Sequence, residues 1–592
     1  MIVLQNFMLP EPGICTEQDL YFRRHGPVAF SQTARTLELK EGAVVSFNTY
    51  FNALSIGKWQ NDCDLDDLYL EITGSGRVEI KVFHAQPHES WELLNNETTT
   101  LEDSVPLLLD LSVFKEDTPR GMIYAEVRAL EEDVLVSGHR YITRTPARQE
   151  PKLAISITTF KREEEVRRTV SRLDAFIAAH PDGNNMHVQV VDNGQSAEIA
   201  PTERVTPILN ENLGGAGGFA RGLREAEDKG FTHVLFMDDD ASFHMENIHR
   251  AYAYLSLAKR KNAAVAGAMI NNTHKWCMWE AGAFFDGTCK PLHMGRDLRD
   301  WGQIMVMEDE GLTHFHPTMY GGWWFFAFPV SEVKHHPFPF FVRGDDISFS
   351  LANDFSIRVL NGVVSFQDDF TEKESAQTLY LDLRNHLLHH LVFDELKRSG
   401  WGVNKVSLFF LARALMRFHY ETAEALLMAI EDVMRGPDFF DEHADMAQRR
   451  ADIKALIKKE AWRDVSELDL KQRRGFFHKS ARFKRAVFYP TLNGHLFPFY
   501  RKFADRLVLN MGERGLLGPA YGAHRVTYLN STGLKGYTVQ MERLRAFKLG
   551  VRMIKLLRKF AKEHDRLRAE YRKGYDKLTT EEYWDKKLKR AA

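Results

Sequence analysis

The most constraining feature of the chain is a buried-strand signature that runs straight into three carboxylates. Thr232-His233-Val234-Leu235-Phe236-Met237 reads as an interior strand, and Asp238, Asp239 and Asp240 follow it directly. Burying that much like charge is costly unless a cation offsets it. A hard divalent ion, Mn²⁺ or Mg²⁺, takes oxygen ligands and brings phosphates with it. Alternate side chains at a strand end point the same way, so Asp238 and Asp240 are expected to converge on the ion while Asp239 faces elsewhere. The alternative for such a run standing alone is a solvated acidic turn. The strand context favours an enzyme that handles a nucleotide diphosphate.

At 592 residues the chain is too long for one core, and two to four domains are expected. A formal net charge of -3 argues against a nucleic-acid partner. Cys15, Cys63, Cys277 and Cys289 are scattered, which excludes a disulfide scaffold and fits a reducing compartment. Met1-Ile2-Val3-Leu4-Gln5 lacks a basic signal-peptide start, so a cytoplasmic location is expected. No apolar run reaches the roughly 20 residues that span a bilayer, so any membrane contact is expected to be peripheral, at the inner face of the cell membrane.

The pattern changes twice along the chain. Residues 1–148 carry alternating segments such as Val78–Phe83, Met122–Val127 and Val134–Val136, separated by turn signals at 74–76 and 117–121, and predict a β-sandwich. A linker is expected over 144–151. Residues 149–392 alternate strand and helix: strands at 153–158, 188–191 and 207–209, helices at 163–180 and 218–230, then the Asp-run strand. Such a series predicts a parallel sheet with functional loops at the strands' C-terminal ends. Residues 393–592 read as mainly helical, with one long helical stretch over 406–434 stopped by Gly436-Pro437.

Four further motifs carry chemistry. Asn212-Leu213-Gly214-Gly215-Ala216-Gly217-Gly218 lies between a strand and a helix, where bare backbone can approach a phosphate or sugar; close helix–sheet packing is an equal use for each glycine. Asp192-Asn193 ends a strand, where a carboxylate can bind a base or ribose, or brace an Asx-turn. In Tyr320-Gly321-Gly322-Trp323-Trp324-Phe325-Phe326 the phenylalanines suit a core and the Trp pair a sugar-stacking edge. In Val342-Arg343-Gly344-Asp345-Asp346-Ile347 the adjacent carboxylates can raise one another's pKa, which suits a general base; helix capping is the structural use.

Together these motifs resemble the inverting family-2 glycosyltransferases of GT-A fold, and within them the polymerising galactofuranosyltransferases that build cell-wall galactan. The order that carries the resemblance is Thr158-Thr159-Phe160-Lys161-Arg162, Val191-Asp192-Asn193, the glycine run, Met237-Asp238-Asp239-Asp240, Trp279-Glu280, Gly322-Trp323-Trp324, Asp345-Asp346 and Leu383-Arg384-Asn385. It spans about residues 150–390, and the flanking β-rich and helical regions match that family's layout. The resemblance implies a multi-domain protein with a central Rossmann-like GT-A domain. It implies Asp238 and Asp240 as metal ligands, and Thr159, Phe160, Arg162, Asp192, Asn212, Gly215 and Asp239 around a UDP-sugar donor. Asp346, beside Asp345, would be the base that deprotonates the acceptor hydroxyl. Trp323, Trp324 and Glu280 would shape the sugar sites. The family completes its metal site with a histidine, and here Gln367 falls at that place; its neutral carbonyl oxygen is a weaker ligand, and Asp368 substitutes if the register shifts by one.

The expected partners are therefore a nucleotide-sugar donor and a glycan or lipid-linked glycan acceptor, in a homo-oligomer. The basic stretches 471–479 and 543–577 fit an anionic membrane surface, and equally a solvated helix face or a contact between copies. Two other readings stand beside this one. The first is the same fold with another donor, such as that of a rhamnosyltransferase. The second is a non-catalytic carbohydrate-binding protein with a decayed metal site.

Overall fold

The computed structural model describes residues 1–103, 105–112, 120–239, 242–368, 374–475 and 481–589, the side chains of 481 and 482 aside. Asp240, most of the turn at 117–121 and residues 476–479 of the first basic stretch lie outside the described residues.

The N-terminal region is β-rich, as its alternation predicts. One strand, Tyr69–Ala85, organises it. Its first half pairs with Val134–Thr143 and Leu107–Asp110, and its second half with Met122–Ala129 and Glu92–Leu101. The two halves of the layer thus share a strand and form a single ten-stranded hydrogen-bonded network. Leu70, Ile72, Val78, Ile80 and Val82 bury its inner face.

The central region holds a nine-stranded sheet. Its strands are β1 (Leu153–Thr159), β2 (Met186–Asp192), β3 (Val205–Leu209), β4 (His233–Asp238), β5 (Ala263–Asn271), β6 (Phe326–Pro329) and β7 (Ser356–Gln367). They lie in the order β3-β2-β1-β4-β6-β5-β7, with short strands at Ser242–Phe243 and Met278–Glu280. Pairing from β3 to β4 is parallel, as expected. Beyond β4 the sheet is mixed: β6 runs antiparallel between β4 and β5, which a simple strand–helix alternation did not foretell. Helix α1 (Glu163–Ala179) covers one connection, with Glu163, Glu164 and Glu165 in its first turn, where the helix dipole favours acids.

Helix α2 (Gly214–Asp228) starts four residues before the expected point, so the glycine run is its first turn and not a loop ahead of it. Glycine's low helix propensity hides the start, and tight packing against the sheet offsets that cost. The 406–434 stretch is two helices, Gly400–Met416 and Tyr420–Val433, broken where Phe418 takes φ 66° with no Gly or Pro to signal it. The C-terminal region is mainly helical but also carries a four-stranded sheet of Arg463–Asp464, Asp505–Asn510, Ala523–Leu529 and Lys535–Gln540. Its longest helix is Arg543–Leu578.

The N-terminal and central regions share one continuous hydrophobic core. Buried ionic contacts cross the same junction. Lys58 Nζ lies 2.6 Å from Glu308 with both side chains almost fully buried. Buried Arg250 donates to the carbonyls of Asn361 and Phe51, each at 2.8 Å. An unpaired charge there would be strongly destabilising, so these pairs fix the orientation of the two units.

Candidate active site

The parallel register aligns the C-terminal ends of three strands. Thr158 stands opposite Asp238, and Thr159 opposite Asp192. A cleft of about 880 Å³ opens over this edge. Thr159, Phe160, Arg162, Asn212, Gly215, Asp238 and Asp239 line it together with Glu280, Trp323, Trp324, Asp345 and Asp346.

Asp239 lines the same cleft as Asp238. It is buried, accepts a 2.6 Å hydrogen bond from the Thr159 hydroxyl and has the Arg162 guanidinium 3.8 Å away. Gln367 ends β7 beside the Asp run: it is buried, and its Nε2 donates to Asp238 Oδ2 at 3.4 Å. Asp368 is exposed and accepts from Asn272 at 3.1 Å, so the shifted register is not adopted and Gln367 is the residue that meets Asp238.

Asp192 is outside the cleft lining. Its Oδ1 accepts from Gly194 N at 2.8 Å and its Oδ2 from Ala197 N at 2.7 Å, so both oxygens brace the loop, as in the Asx-turn alternative. Its neighbour Asn193 does line the cleft. The Asn193 amide donates to Gly214 O at 2.9 Å and accepts from Asn210 at 2.8 Å, tying β2 to the start of α2.

The glycines divide by use. A Cβ on Gly218 would lie 2.2 Å from Thr158 Cγ2, and one on Gly222 would lie 1.9 Å from Ser156 Oγ, so these two seat α2 on β1. Gly214, at φ 71°, lets α2 meet the carbonyl of Phe341. Gly215 instead faces the Asp345 carboxylate.

The Trp pair is not an exposed edge. Trp323 is buried and packs edge-on against Phe219, Phe236 and Phe349, with only part of its ring reaching the cleft. The apolar face of α2 and the core of β4 claim its surface. Trp324 is half-buried, anchored by a 2.9 Å bond from its Nε1 to Gly267 O.

Asp345 and Asp346 begin helix α3 (Asp345–Ala352), which is capped by Gly344. The segment before them is held in an unusual backbone: Phe341, Arg343 and Gly344 have φ of 78°, 72° and 74°. For the two non-glycine residues that conformation is strained and persists only when its surroundings enforce it. Helix α4 (Ala376–Val392) does so. Arg384 donates to Phe340 O at 2.5 Å, Asn385 to Val342 O at 3.1 Å and Arg343 O at 2.5 Å, and His389 to Gly344 O at 3.0 Å. The Leu383-Arg384-Asn385 motif is thus the buckle that aims the acidic pair.

Burial raises the carboxyls of both Asp345 and Asp346 above the ordinary range, and Asp346 adds like-charge repulsion to Asp345. Glu280 is pushed up to about 8 by burial and then by Asp346. The cleft therefore gathers more carboxylate than it can ionise by itself, and a cation would relieve it.

Sequence reasoning missed several lining residues. Asp382 and His386 sit one turn apart on α4 and both reach the cleft, as do Arg343 and Tyr320. Asp382 is pushed up to about 6 by burial, with Arg343 4.0 Å away holding it down. Their i,i+4 spacing beside Leu383-Arg384-Asn385 was the available signal. Among the described residues one compact set of possible metal-ligand atoms occurs elsewhere, at Glu227, His336 and Glu581. Arg224 already bridges the two glutamates, at 2.5 and 2.9 Å, which makes it an ion-pair network.

Two family models match this layout. Residues 4–143 match the one described as Galactofuranosyltransferase 2 N-terminal, and residues 154–304 match Glycosyl transferase family 2. The chain is similar to Galactofuranosyltransferase GlfT2 of Mycobacterium tuberculosis, 26% identical over 468 residues, 74% of this chain and 73% of that one. It is similar also to Galactofuranosyltransferase GlfT2 of Mycolicibacterium smegmatis, 25% identical over 469 residues, 74% of this chain and 71% of the other. A solved mannosyltransferase of Pyrobaculum calidifontis aligns at 16% identity over 53% of this chain and 85% of its own, with a TM-score of 0.29, too low to bear on the assignment. The matched regions are separated by residues 144–153 and take in the cleft from Thr158 to Glu280, and the chain is a glycosyltransferase similar to the galactofuranosyltransferases.

Proposed function

We propose that the chain transfers galactofuranose from UDP-galactofuranose, with inversion, onto a glycan acceptor in cell-surface polysaccharide synthesis. The observation that carries the reading is the convergence of Asp238, Glu280 and the Asp345-Asp346 pair on one cleft, in a chain similar to two galactofuranosyltransferases. The acceptor is a glycan, free or lipid-linked, met at the inner face of the cell membrane by a homo-oligomer. Among the described residues no helix is long and apolar enough to cross a membrane. The working units are residues 1–148, 149–392 and 393–592, the first serving carbohydrate binding or assembly.

The donor set fits a hard divalent ion. Asp238 faces an amide that can turn its oxygen inward, and the surrounding carboxyls are raised by burial and then by the charge of Asp346. Asp238 and Asp240, with Gln367, would hold Mn²⁺ or Mg²⁺, which supplies charge compensation for the departing diphosphate. Asp346 is the base. Its raised carboxyl gives it a stronger pull on the acceptor proton than an ordinary aspartate has. Burial raises it first, and the Asp382 carboxylate adds like-charge repulsion. Thr159, Phe160, Arg162, Asp239, Asn212 and Gly215 position the donor, and Asp192 acts through the loop it braces. Trp324 and the exposed part of Trp323 face the acceptor, while Glu280 presents a protonated carboxyl to a sugar hydroxyl.

A donor screen with purified protein, with and without Mn²⁺, tests this. Transfer from UDP-galactofuranose that requires the ion is the expected result. Turnover with a different nucleotide sugar alone would overturn the donor. Glycan binding with no turnover, equal in wild type and Asp346→Ala, would overturn catalysis.

A further inference from the structure

A second hollow, of about 390 Å³, backs onto one wall of the cleft. That wall is extended chain, built from the short strands Met278–Glu280, Ala283–Phe285, Cys289–Pro291 and Met319–Tyr320. Alternation along extended chain sends successive side chains to opposite faces. Glu280, Pro291 and Tyr320 accordingly line the cleft, and their neighbours Ala281, Leu292 and Met319 line the hollow. The next two residues divide in the same way, His293 to the hollow and Met294 to the cleft. The rest of the hollow comes from the end of the helix Trp301–Thr313, from His314–His316 beyond it and from the start of β7. Its volume is in the range of small-molecule sites.

The charges around this hollow are largely matched. Lys58 lies 2.6 Å from Glu308, Arg358 2.6 Å from Asp62 and Arg296 3.2 Å from Glu310. Exposed Arg260 donates to Ser356 Oγ at 3.3 Å and pairs with no carboxylate among the described residues. One spare cation does not make a phosphate site, which takes several. The hollow offers hydrogen bonds in both directions instead. Among the described residues no strand pairs with the edge of β7 away from β5 along Ser356–Val359, so backbone donors and acceptors are free to face a ligand there. Lys58 takes one of them, the Val359 carbonyl, at 2.8 Å. Apolar surface lies beside these groups. Leu292, Leu312, Met319 and Ile357 are half-buried, and His316 stacks flat on Phe284 at 4.2 Å. Phe315 lines the hollow while 80% exposed, which places its ring at the mouth with no core to fill. A saccharide pairs the same two surfaces: hydroxyls that donate and accept around its edge, and an apolar face that lies on aromatic rings.

We propose, resting on the reading that the acceptor is a glycan, that this hollow is a second saccharide site, separate from the cleft, which holds inner units of the glycan while its reacting end occupies the cleft. Phe315 stacks on a sugar ring at the mouth, and Arg260 and the edge of β7 bind its hydroxyls.

The test is calorimetry of a galactofuranose hexasaccharide, and in parallel of a galactopyranose hexasaccharide, in buffer free of donor and metal. Wild type is expected to bind the furanose glycan. Phe315→Ala and Arg260→Ala should each weaken that binding about fivefold, the size of one ring contact or one hydrogen bond to a charged group. Both side chains are exposed, so melting temperature and UDP affinity should stay at wild-type values, which separates the hollow from the cleft and from a folding defect. Binding of the pyranose glycan alone, weakened by both variants, keeps the site and removes galactofuranose from the proposed function. Glycan binding that both variants leave unchanged, or no binding of either glycan by wild type, overturns the site; transfer from UDP-galactofuranose that persists alongside either result leaves the proposed function standing.

Discussion

Gly218 and Gly215 lie three residues apart in one glycine run, and the structure gives them opposite consequences. A Cβ at Gly218 would come 2.2 Å from Thr158 Cγ2 and 2.8 Å from Thr158 Oγ1. Carbon atoms prefer about 3.5–4.0 Å. Rotating Thr158 about χ1 clears one of those two atoms but not both, so α2 must lift from β1. Overpacking of this kind costs about 3 kcal/mol at the upper end of its usual range. Alanine returns about 1 kcal/mol of helix propensity. Gly218→Ala is therefore expected to lose about 2 kcal/mol, a fall in melting temperature of about 4–8 °C for a domain of this size. A Cβ at Gly215 meets Asp345 Oδ2 at 3.3 Å, Val342 Cγ1 at 3.7 Å and Phe341 O at 3.9 Å, none of them a clash. Gly215→Ala should stay within about 0.5 kcal/mol in stability. It should lower kcat/KM about tenfold, because it crowds the carboxylate behind the base. Calorimetric melting alongside steady-state transfer separates the two effects. Wild-type melting of Gly218→Ala, or equal destabilisation by both substitutions, would refute the division of the glycines into packing and site roles.

Asp346→Asn should keep UDP affinity within about twofold and lose at least ~100-fold in turnover, the usual worth of a general base; unchanged turnover removes the assignment. Because the base must be ionised, activity should rise with pH across a carboxyl range above the ordinary value. Asp382→Asn takes away the like charge that adds to burial in raising Asp346, so the acid limb of the profile should move to lower pH, and a limb that stays or moves up contradicts the pairing. Glu280, pushed up to about 8, holds its proton at neutral pH and loses it above that value. Glu280→Gln should therefore retain activity within about threefold at pH 7 and should abolish any decline specific to alkaline pH. Gln367→His should tighten Mn²⁺ binding, read by calorimetry or by the loss of the free-ion resonance signal, because imidazole is the better ligand for that ion; equal or weaker binding would show that Gln367 does not approach the metal.

The regular parts of the chain were legible because they follow from local periodicity. Apolar runs of strand length, ended by Asp192 and by Asp238, set the parallel half of the sheet and placed its functional edge. Alternation at 78–83 and 122–127 set the β-rich start. The order of motifs from Thr158 to Asn385 identified the glycosyltransferase, since most of them sit at a strand end or helix start. Three features depended on contacts between segments far apart in sequence. Asp192 and Asn193 are equally polar, but only the path of the 193–197 loop turns the first into a brace and the second toward the cleft. Trp323 reads like Trp324, yet the aromatic faces of Phe219, Phe236 and Phe349 close over it. Asp382 and His386 look like ordinary positions of a helix until α4 is laid across the strained 341–344 segment.

What the sequence by itself determined is the chemistry available: carboxylates at the end of a buried strand, a second carboxylate pair, glycines at a helix start and a glutamine at the end of an apolar run. Only the tertiary structure decided how those groups are used. Backbone hydrogen bonds and side-chain periods are local and can be read along the chain. Burial, like-charge crowding and the closeness of Gln367 to Asp238 arise when distant segments share a small, water-poor volume.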